Sequence, residues 1–117
     1  MAESKRHSEK RRTIRIPVDF PTKVTAGKKK FNCKAREFSE YGILLASERS
    51  DLVGTEVELD LSLETVSKPV SLQGVVVYSI DAGLGIRFKN ITEEHRTILS
   101  SYVHSHDPRI KTPPVRA

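Results

Sequence analysis

The stretch EVELDLSL at residues 56–63 gives the clearest indication of the fold. Its apolar side chains alternate strictly with acidic or hydroxyl-bearing ones along the whole stretch. Such alternation is typical of an antiparallel strand with one face on a core and the other in water. The stretch therefore predicts a protein built on an antiparallel sheet.

Further strand patterns lie on both sides of this stretch, separated by turn residues. The predicted strands are residues 16–26, 31–38, 43–46, 56–63, 70–80 and 84–88. Pro17 and Pro21 predict an edge position or a bend in the first strand. Gly74, inside the fifth, predicts a bulge or a sharp bend.

After the last strand the apolar spacing changes from period two to that of a helix. Thr92 is the expected N-cap, and Ile98, Leu99, Tyr102 and Val103 share one helical face, which predicts a helix at about 92–104. Six short strands and one terminal helix predict an all-β fold: a small six-stranded antiparallel β-barrel with a C-terminal helix covering one mouth.

Composition narrows the class of protein. The 117 residues suit one domain with one modest core. The single cysteine, Cys33, excludes an internal disulfide, and no apolar run reaches the length of a membrane span. A charged N-terminus without an apolar segment does not fit a signal peptide. The lone cysteine indicates a reducing compartment, so we expect a cytoplasmic protein. His95, His104 and His106 lack a convincing set of metal partners. We therefore expect no metal site. The sequence also offers no catalytic constellation, so we expect no cofactor and no enzymatic activity.

The formal net charge of +5 is concentrated at the two ends of the chain. Residues 1–15 carry +4 and residues 107–117 carry +2, which leaves −1 for residues 16–106. A general nucleic-acid-binding domain has a basic face across the fold. The near-neutral body therefore makes nucleic acid an unlikely partner.

Two short motifs carry the candidate ligand chemistry. Arg11 and Arg15 form an R-x-x-x-R motif, with Arg12 beside the first arginine. Guanidinium groups pair bidentately with phosphates or with O6 and N7 of guanine, and they stack on purines. In the second motif, EFSEYG at residues 37–42, Glu37 can accept hydrogen bonds from guanine N1–H and N2–H. The two motifs predict a site for an anionic, purine-bearing ligand.

The other polar positions of the second motif fit the same ligand. The Ser39 hydroxyl suits ribose or phosphate. Gly42 permits a positive φ and a close approach of the backbone to a ligand. Both residue types are also common in ordinary turns, which is the alternative interpretation.

The motifs together resemble the signature of the PilZ domain, R-x-x-x-R followed by [D/N]-x-S-x-x-G. The patterns GILL at 42–45, GVVVY at 74–78 and GLGIRF at 83–88 also look like strands of that family. The resemblance implies a six-stranded barrel and a cytoplasmic bacterial receptor for cyclic di-GMP, with residues 1–9 as a disordered basic arm, 10–104 as the domain and 105–117 as a flexible tail. The departure is Glu37, which stands where the family has Asp or Asn.

The resemblance also implies which residues contact the ligand. The expected contacts are Lys10, Arg11, Arg12, Arg15, Glu37, Ser39, Gly42 and Arg87. In the family, the position of Lys10 influences whether one ligand or an intercalated pair binds, and its positive charge favours a pair. Arg87 should point outward from its strand, where a plain surface arginine is the alternative role.

Two other functions remain open at this level. The chain could be an adaptor with a degenerate PilZ fold that binds only protein, in motility or pilus control, and the extra methylene of Glu37 favours that alternative. It could also associate with DNA or RNA through its basic ends, which predicts binding with a steep salt dependence.

Overall fold

The computed structural model describes residues 14–64 and 66–106 and shows seven strands and one α-helix there. The strands are β1 Ile16–Pro17, β2 Pro21–Ala26, β3 Lys29–Phe38, β4 Gly42–Ala46, β5 Glu56–Leu61, β6 Val70–Ile80 and β7 Gly83–Lys89. The helix α1 spans Glu93–His106, and a single 3₁₀ turn, Ser50–Leu52, precedes β5. The predicted helix is confirmed and runs two residues further than expected.

Six of the strands close into a barrel. The strand order is β3-β2-β5-β6-β7-β4, and β4 pairs again with β3, so the sheet returns to its first strand. All of these pairings are antiparallel. The predicted six-stranded antiparallel barrel is therefore confirmed, with the two-residue β1 as an additional strand beside β3.

The first predicted strand, residues 16–26, is divided in two by a bend. Pro17 pairs with Glu37 and Pro21 with Lys34, so the residues between the two prolines exceed those opposite them by one. A proline lacks the N–H that a regular ladder needs at that point. The bend that the prolines predicted is present, and it separates the lead-in at β1 from the barrel strand β2.

The core fills the barrel and extends beneath the helix. Leu99, Tyr102 and Val103 are buried, as their helical spacing predicted, and Ile98 packs partly against the same core. The ring of Tyr102 meets those of Phe20 and Phe38 edge-to-face, with centroids 5.8 and 5.5 Å apart. Edge-to-face contact is a favourable arrangement of aromatic rings. These contacts fix the helix against the barrel.

The predicted bulge in β6 is present but lies at a different residue. Gly74 keeps regular register, whereas the register shifts between Val76 and Tyr78. A glycine is needed at position 74 for steric reasons, because a Cβ there would lie 2.6 Å from Cγ2 of Ile86. The bulge at Val77 instead places two consecutive β6 residues opposite one residue of β7, which changes which side chains reach the surface.

Candidate functional site

An open cleft lies where β3 turns into β4, beside β6 and β7. Its volume is about 280 Å³, and its lining includes Arg15, Glu37, Ser39, Gly42 and Arg87. One arginine of the first sequence motif thus shares a cleft with the second motif. Lys10, Arg11 and Arg12 lie outside the described residues.

The strand ladder places these side chains. Ile16 pairs with Phe38, so Arg15, directly before β1, lies beside the C-terminal end of β3. Across the cleft, Gly42 of β4 pairs with Arg87 of β7, and both arginine side chains are exposed. The outward direction predicted for Arg87 is confirmed. Two guanidinium groups, one directly before β1 and one on β7, can therefore meet a ligand.

Ser39 has the turn-forming role that was the alternative interpretation of its motif. It is only 6% exposed. Its Oγ accepts hydrogen bonds from the backbone N–H groups of Tyr41 and Gly42, at 3.1 and 3.2 Å. The Ser39 backbone N–H also donates to the Gly42 carbonyl at 3.0 Å. The hydroxyl therefore builds the turn between β3 and β4, and its expected contact with a ligand stays a prediction.

Gly42 is required for a reason other than the one expected. Positive φ occurs at Gly27 and Gly54 among the glycines of the described chain, and Gly42 does not share it. A Cβ at Gly42 would instead lie 2.5 Å from the carbonyl oxygen of Ile86. The prediction of a positive φ is therefore wrong, because the glycine is needed where β4 and β7 approach closely. Its expected close approach to a ligand stays a prediction.

Glu37 supplies the acidic group of the cleft. It lies on β3 beside a register shift, since Ala35 pairs with Leu45 but Glu37 pairs with Leu44. Its side chain is exposed and lines the cleft. A carboxylate offers only acceptor atoms. The cleft thus combines two groups that donate hydrogen bonds with one that accepts them.

The cleft also contains apolar residues that motif reasoning missed. Tyr41, Val77 and Tyr78 line it and are 55%, 41% and 44% exposed. The run of Val75, Val76, Val77 and Tyr78 gave a signal, because strict alternation cannot bury four consecutive apolar residues. Their exposure beside charged groups is typical of a binding surface rather than of a core.

The described residues form neither a metal-binding cluster nor a reactive thiol site. In residues 14–64 and 66–106, no group of three or more His, Cys, Asp and Glu side chains is placed to hold a metal ion. Cys33 is half-buried, and burial raises the pKa of its thiol to about 11. A thiol of that pKa is hardly ionised at neutral pH and is a poor nucleophile.

In the part of the chain that the structure describes, no helix is long and apolar enough to cross a bilayer.

The fold is a small closed antiparallel barrel with a C-terminal helix packed on it and a surface cleft lined by charged, aromatic and aliphatic side chains. The model of the PilZ domain family matches residues 9–105, and the chain belongs to that family. PilZ domains are receptors and adaptors rather than enzymes, in agreement with the expectation from sequence. No curated protein sequence matches that of the chain.

Solved structures share the fold at low sequence identity. The PilZ domain of YcgR from Escherichia coli, solved with c-di-GMP, is 13% identical with a TM-score of 0.67, over 81% of this chain and 89% of that one. The Borreliella burgdorferi PlzA protein in complex with c-di-GMP is 16% identical with a TM-score of 0.60, over 76% of this chain and 39% of that one. The Bacillus subtilis inhibitor of motility MotI/DgrA is 14% identical with a TM-score of 0.64, over 80% and 48%. The chain thus spans less than half the length of the PlzA and MotI/DgrA chains.

Proposed function

We propose that this chain is a cytoplasmic receptor for cyclic di-GMP that signals to a protein partner. The observation that carries the proposal is the position of Arg15 in one cleft with Glu37 and Arg87. These are the groups that a ligand with guanine edges and phosphates requires. The family membership and the c-di-GMP bound to the PilZ domain of YcgR support the same ligand.

In this proposal, ligand binding signals by changing the protein surface that a partner contacts. Lys10, Arg11 and Arg12 precede Arg15 closely in sequence, so an arm that carries them can close over a nucleotide held in the cleft. Closure neutralises these cations against the ligand phosphates and presents a new surface to a partner. With Lys10 in this arm, we expect an intercalated ligand pair rather than a single molecule. Regulation of motility or biofilm formation is the expected context.

Calorimetric titration of the full chain with cyclic di-GMP tests this proposal. We expect saturable binding that Arg15→Ala weakens by at least tenfold, because one charge-assisted contact to a guanine or phosphate is removed. Arg96→Ala is the matched control, since Arg96 is an exposed arginine on α1 outside the cleft lining. Cyclic di-AMP and GTP serve as ligand controls. Absence of heat and of chemical-shift changes at high ligand concentration would refute the proposal.

A second candidate function is a protein adaptor that does not bind nucleotide, and Glu37 is the observation that favours it. Its carboxylate lies one carbon–carbon bond, about 1.5 Å, further from the backbone than that of Asp. A buried donor left unsatisfied by such a shift costs about 1–3 kcal/mol, or about tenfold to a hundredfold in affinity. If the wild-type chain does not bind and Glu37→Asp does, the adaptor function is favoured.

Binding to DNA or RNA makes a different prediction. It requires affinity for arbitrary oligonucleotides that falls steeply with salt. Cyclic di-GMP offers few phosphates, so its binding should resist moderate salt. The same titration at two salt concentrations, with an oligonucleotide as a second ligand, separates the two functions.

A further inference from the structure

A second groove lies on the helix side of the barrel, separate from the cleft. It has a volume of about 560 Å³ and runs between residues 17–21, at the junction of β1 and β2, and the C-terminal end of α1. We call it the helix-side groove. None of the described residues that line it also lines the cleft. Its occupant therefore need not be the ligand of the cleft.

The floor of the helix-side groove is aromatic, and one wall is rich in proline. Phe20 and Tyr102 line it, with exposed fractions of 6% and 5%, and their rings meet edge-to-face at 5.8 Å. Pro17 and Pro21 line the same groove and are exposed. Extended proline-containing segments bind in grooves lined by aromatic side chains, because their conformation is already formed before binding. The groove fits an occupant of that kind.

Two carboxylates give the groove its charge. The side chains of Asp19 and Glu64 are 80% and 72% exposed. Each has a partner at one oxygen: Oδ1 of Asp19 lies 3.3 Å from Nζ of Lys34, and Oε2 of Glu64 lies 2.9 Å from Nε2 of His106. A carboxylate has about four acceptor positions, so both keep positions for further donors. Lysine and arginine side chains of an occupant can fill them.

The segment that follows the helix begins at this groove. The chain leaves α1 at His106, which itself lines the groove. The eleven residues that follow, DPRIKTPPVRA at 107–117, combine three prolines and two large aliphatic side chains with three cations and one acid. Their formal net charge of +2 opposes the −2 that the two carboxylates give to the described lining of the groove. Pro113 and Pro114 favour the extended conformation that such a groove accepts.

Reach and position also favour this segment over the N-terminal arm. Pro114 is eight residues beyond His106, which is about 25 Å in an extended chain. Residues 17–21 span only about 16 Å, so the segment can turn after α1 and cross the groove. Residues 1–13 contain no proline and join the described chain just before Arg15, which lines the cleft instead.

We propose that residues 109–115 of this chain bind in the helix-side groove, with their cations at Asp19 and Glu64. The covalent connection gives the segment an effective concentration of millimolar order at the groove, so weak contacts are enough to hold it. Bound there, it packs against residues 17–21 and braces the lead-in that presents Arg15. This inference concerns a surface apart from the cleft and is independent of the proposed function. The alternative is a C-terminal tail free in solution, as the sequence predicted.

Nuclear Overhauser effects in the full chain test the proposal directly. The ring protons of Pro113 or Pro114 should give effects to the methyl groups of Val18 or to the ring of Tyr102, which line the groove. Backbone order parameters across residues 109–115 should exceed about 0.6, the upper bound for a flexible backbone. Absence of these Overhauser effects overturns the proposal. Effects that arise between isotope-labelled and unlabelled copies overturn it too, since a second copy then fills the groove.

Substitutions in the tail show what holds it. Pro113→Gly with Pro114→Gly keeps every charge but removes the preset extended conformation and two rings. The order parameters of residues 109–115 should then fall below about 0.6, and the amide signals of the groove residues should shift. Ser4→Gly with Ser8→Gly, in the N-terminal arm, is the matched control and should change neither. Order parameters and shifts equal to those of the wild type in the proline variant would contradict the proposal.

A charge exchange tests the contacts with the carboxylates. Asp19→Lys with Glu64→Lys should release the tail, because its cations then face cations. Arg109→Glu with Lys111→Glu should release it from the other side. The four substitutions together should restore the Overhauser effects, which a mere structural defect in the groove would not allow. A combined variant that melts like the wild type but does not regain them would refute these contacts. Where a variant does not fold, the Overhauser effects of the wild type decide.

Discussion

The helix side of the barrel and the cleft use the same aromatic residue type in opposite ways. On the helix side, Tyr102 is 5% exposed and its ring is packed against Phe20 and Phe38. In the cleft, Tyr41 and Tyr78 are about half exposed. Burial of an aromatic side chain stabilises the fold, whereas an exposed one keeps its surface accessible. The aromatic surface on the helix side therefore contributes to stability, while that in the cleft stays open to solvent.

Phe38 connects the two regions. Its ring is buried and meets both Tyr102 and Phe88, with centroids 5.5 and 6.1 Å apart. Its chain neighbours Glu37 and Ser39 line the cleft. The core beneath the helix therefore holds the backbone from which the cleft is built.

Charge, rather than size, distinguishes the two regions as ligand sites. A larger groove of about 560 Å³ lies on the helix side, between the β1–β2 lead-in and the C-terminal end of α1. Its lining includes Asp19, Glu64 and His106. Carboxylates repel phosphate, so this groove suits an anionic ligand less well than the smaller cleft with its two arginines.

The largest expected difference between the regions is in stability. Leu99 is fully buried in α1, so Leu99→Ala should lower the free energy of unfolding by about 2–5 kcal/mol. Tyr41→Ala, in the cleft, should change it by about 0.5 kcal/mol or less, as expected of an exposed side chain. Urea denaturation of both variants measures the contrast. Equal losses would show that the cleft aromatics belong to the stabilising core.

The turn at Ser39 should give an intermediate effect. Ser39→Ala leaves the N–H groups of Tyr41 and Gly42 without their acceptor, so it should lower the free energy of unfolding by about 1–2 kcal/mol. Ser79→Ala, on the exposed end of β6, is the control and should have little effect. Chemical denaturation measures both. An unchanged stability with reduced ligand affinity would instead assign the hydroxyl to the ligand.

The smallest expected effect is a pH dependence at the end of the helix. Nε2 of His106 lies 2.9 Å from Oε2 of Glu64, and Nδ1 lies 2.9 Å from the Tyr102 carbonyl and from Oγ of Ser105. The bond to Glu64 raises the pKa of His106 above its ordinary 6.5, with a smaller contribution from the bond to Tyr102. The imidazolium is therefore stabilised in the folded state.

The sign of the pH effect follows from that raised pKa. The stabilisation is fully present below pH 6.5 and is lost as the pH rises through the folded-state value. His106→Gln should lower the free energy of unfolding by less than about 1 kcal/mol at pH 6, because the pair is partly exposed, and less at pH 8.5. Thermal melts at both pH values measure this. Glu64→Gln should reduce the same pH dependence; an identical loss for His106→Gln at both values would contradict the assignment.

Much of the fold could be predicted because the sequence patterns that specify its strands and helix are local. The alternation of residues 56–63 and the helical spacing of Leu99, Tyr102 and Val103 each require only one period to be recognised. The bulge at Val77 could not be predicted, because it depends on how β6 meets β7. Gly74 was interpreted as a sign of a bulge or bend, but the structure needs a glycine there because a Cβ would contact Ile86, and the register shift lies between Val76 and Tyr78.

For the candidate site, the sequence by itself determined which chemical groups are available, and the tertiary structure decided which of them lie together. Arginine forks, a carboxylate and a serine–glycine turn can be identified from residue types and spacing alone. Which of them share one cleft depends on barrel closure, which joins Gly42 to Arg87 across β4 and β7. The steric requirement at Gly42 and the exposure of Tyr78 depend on contacts with β7, which is distant from both in sequence. Packing in three dimensions creates those contacts, so no local pattern encodes them.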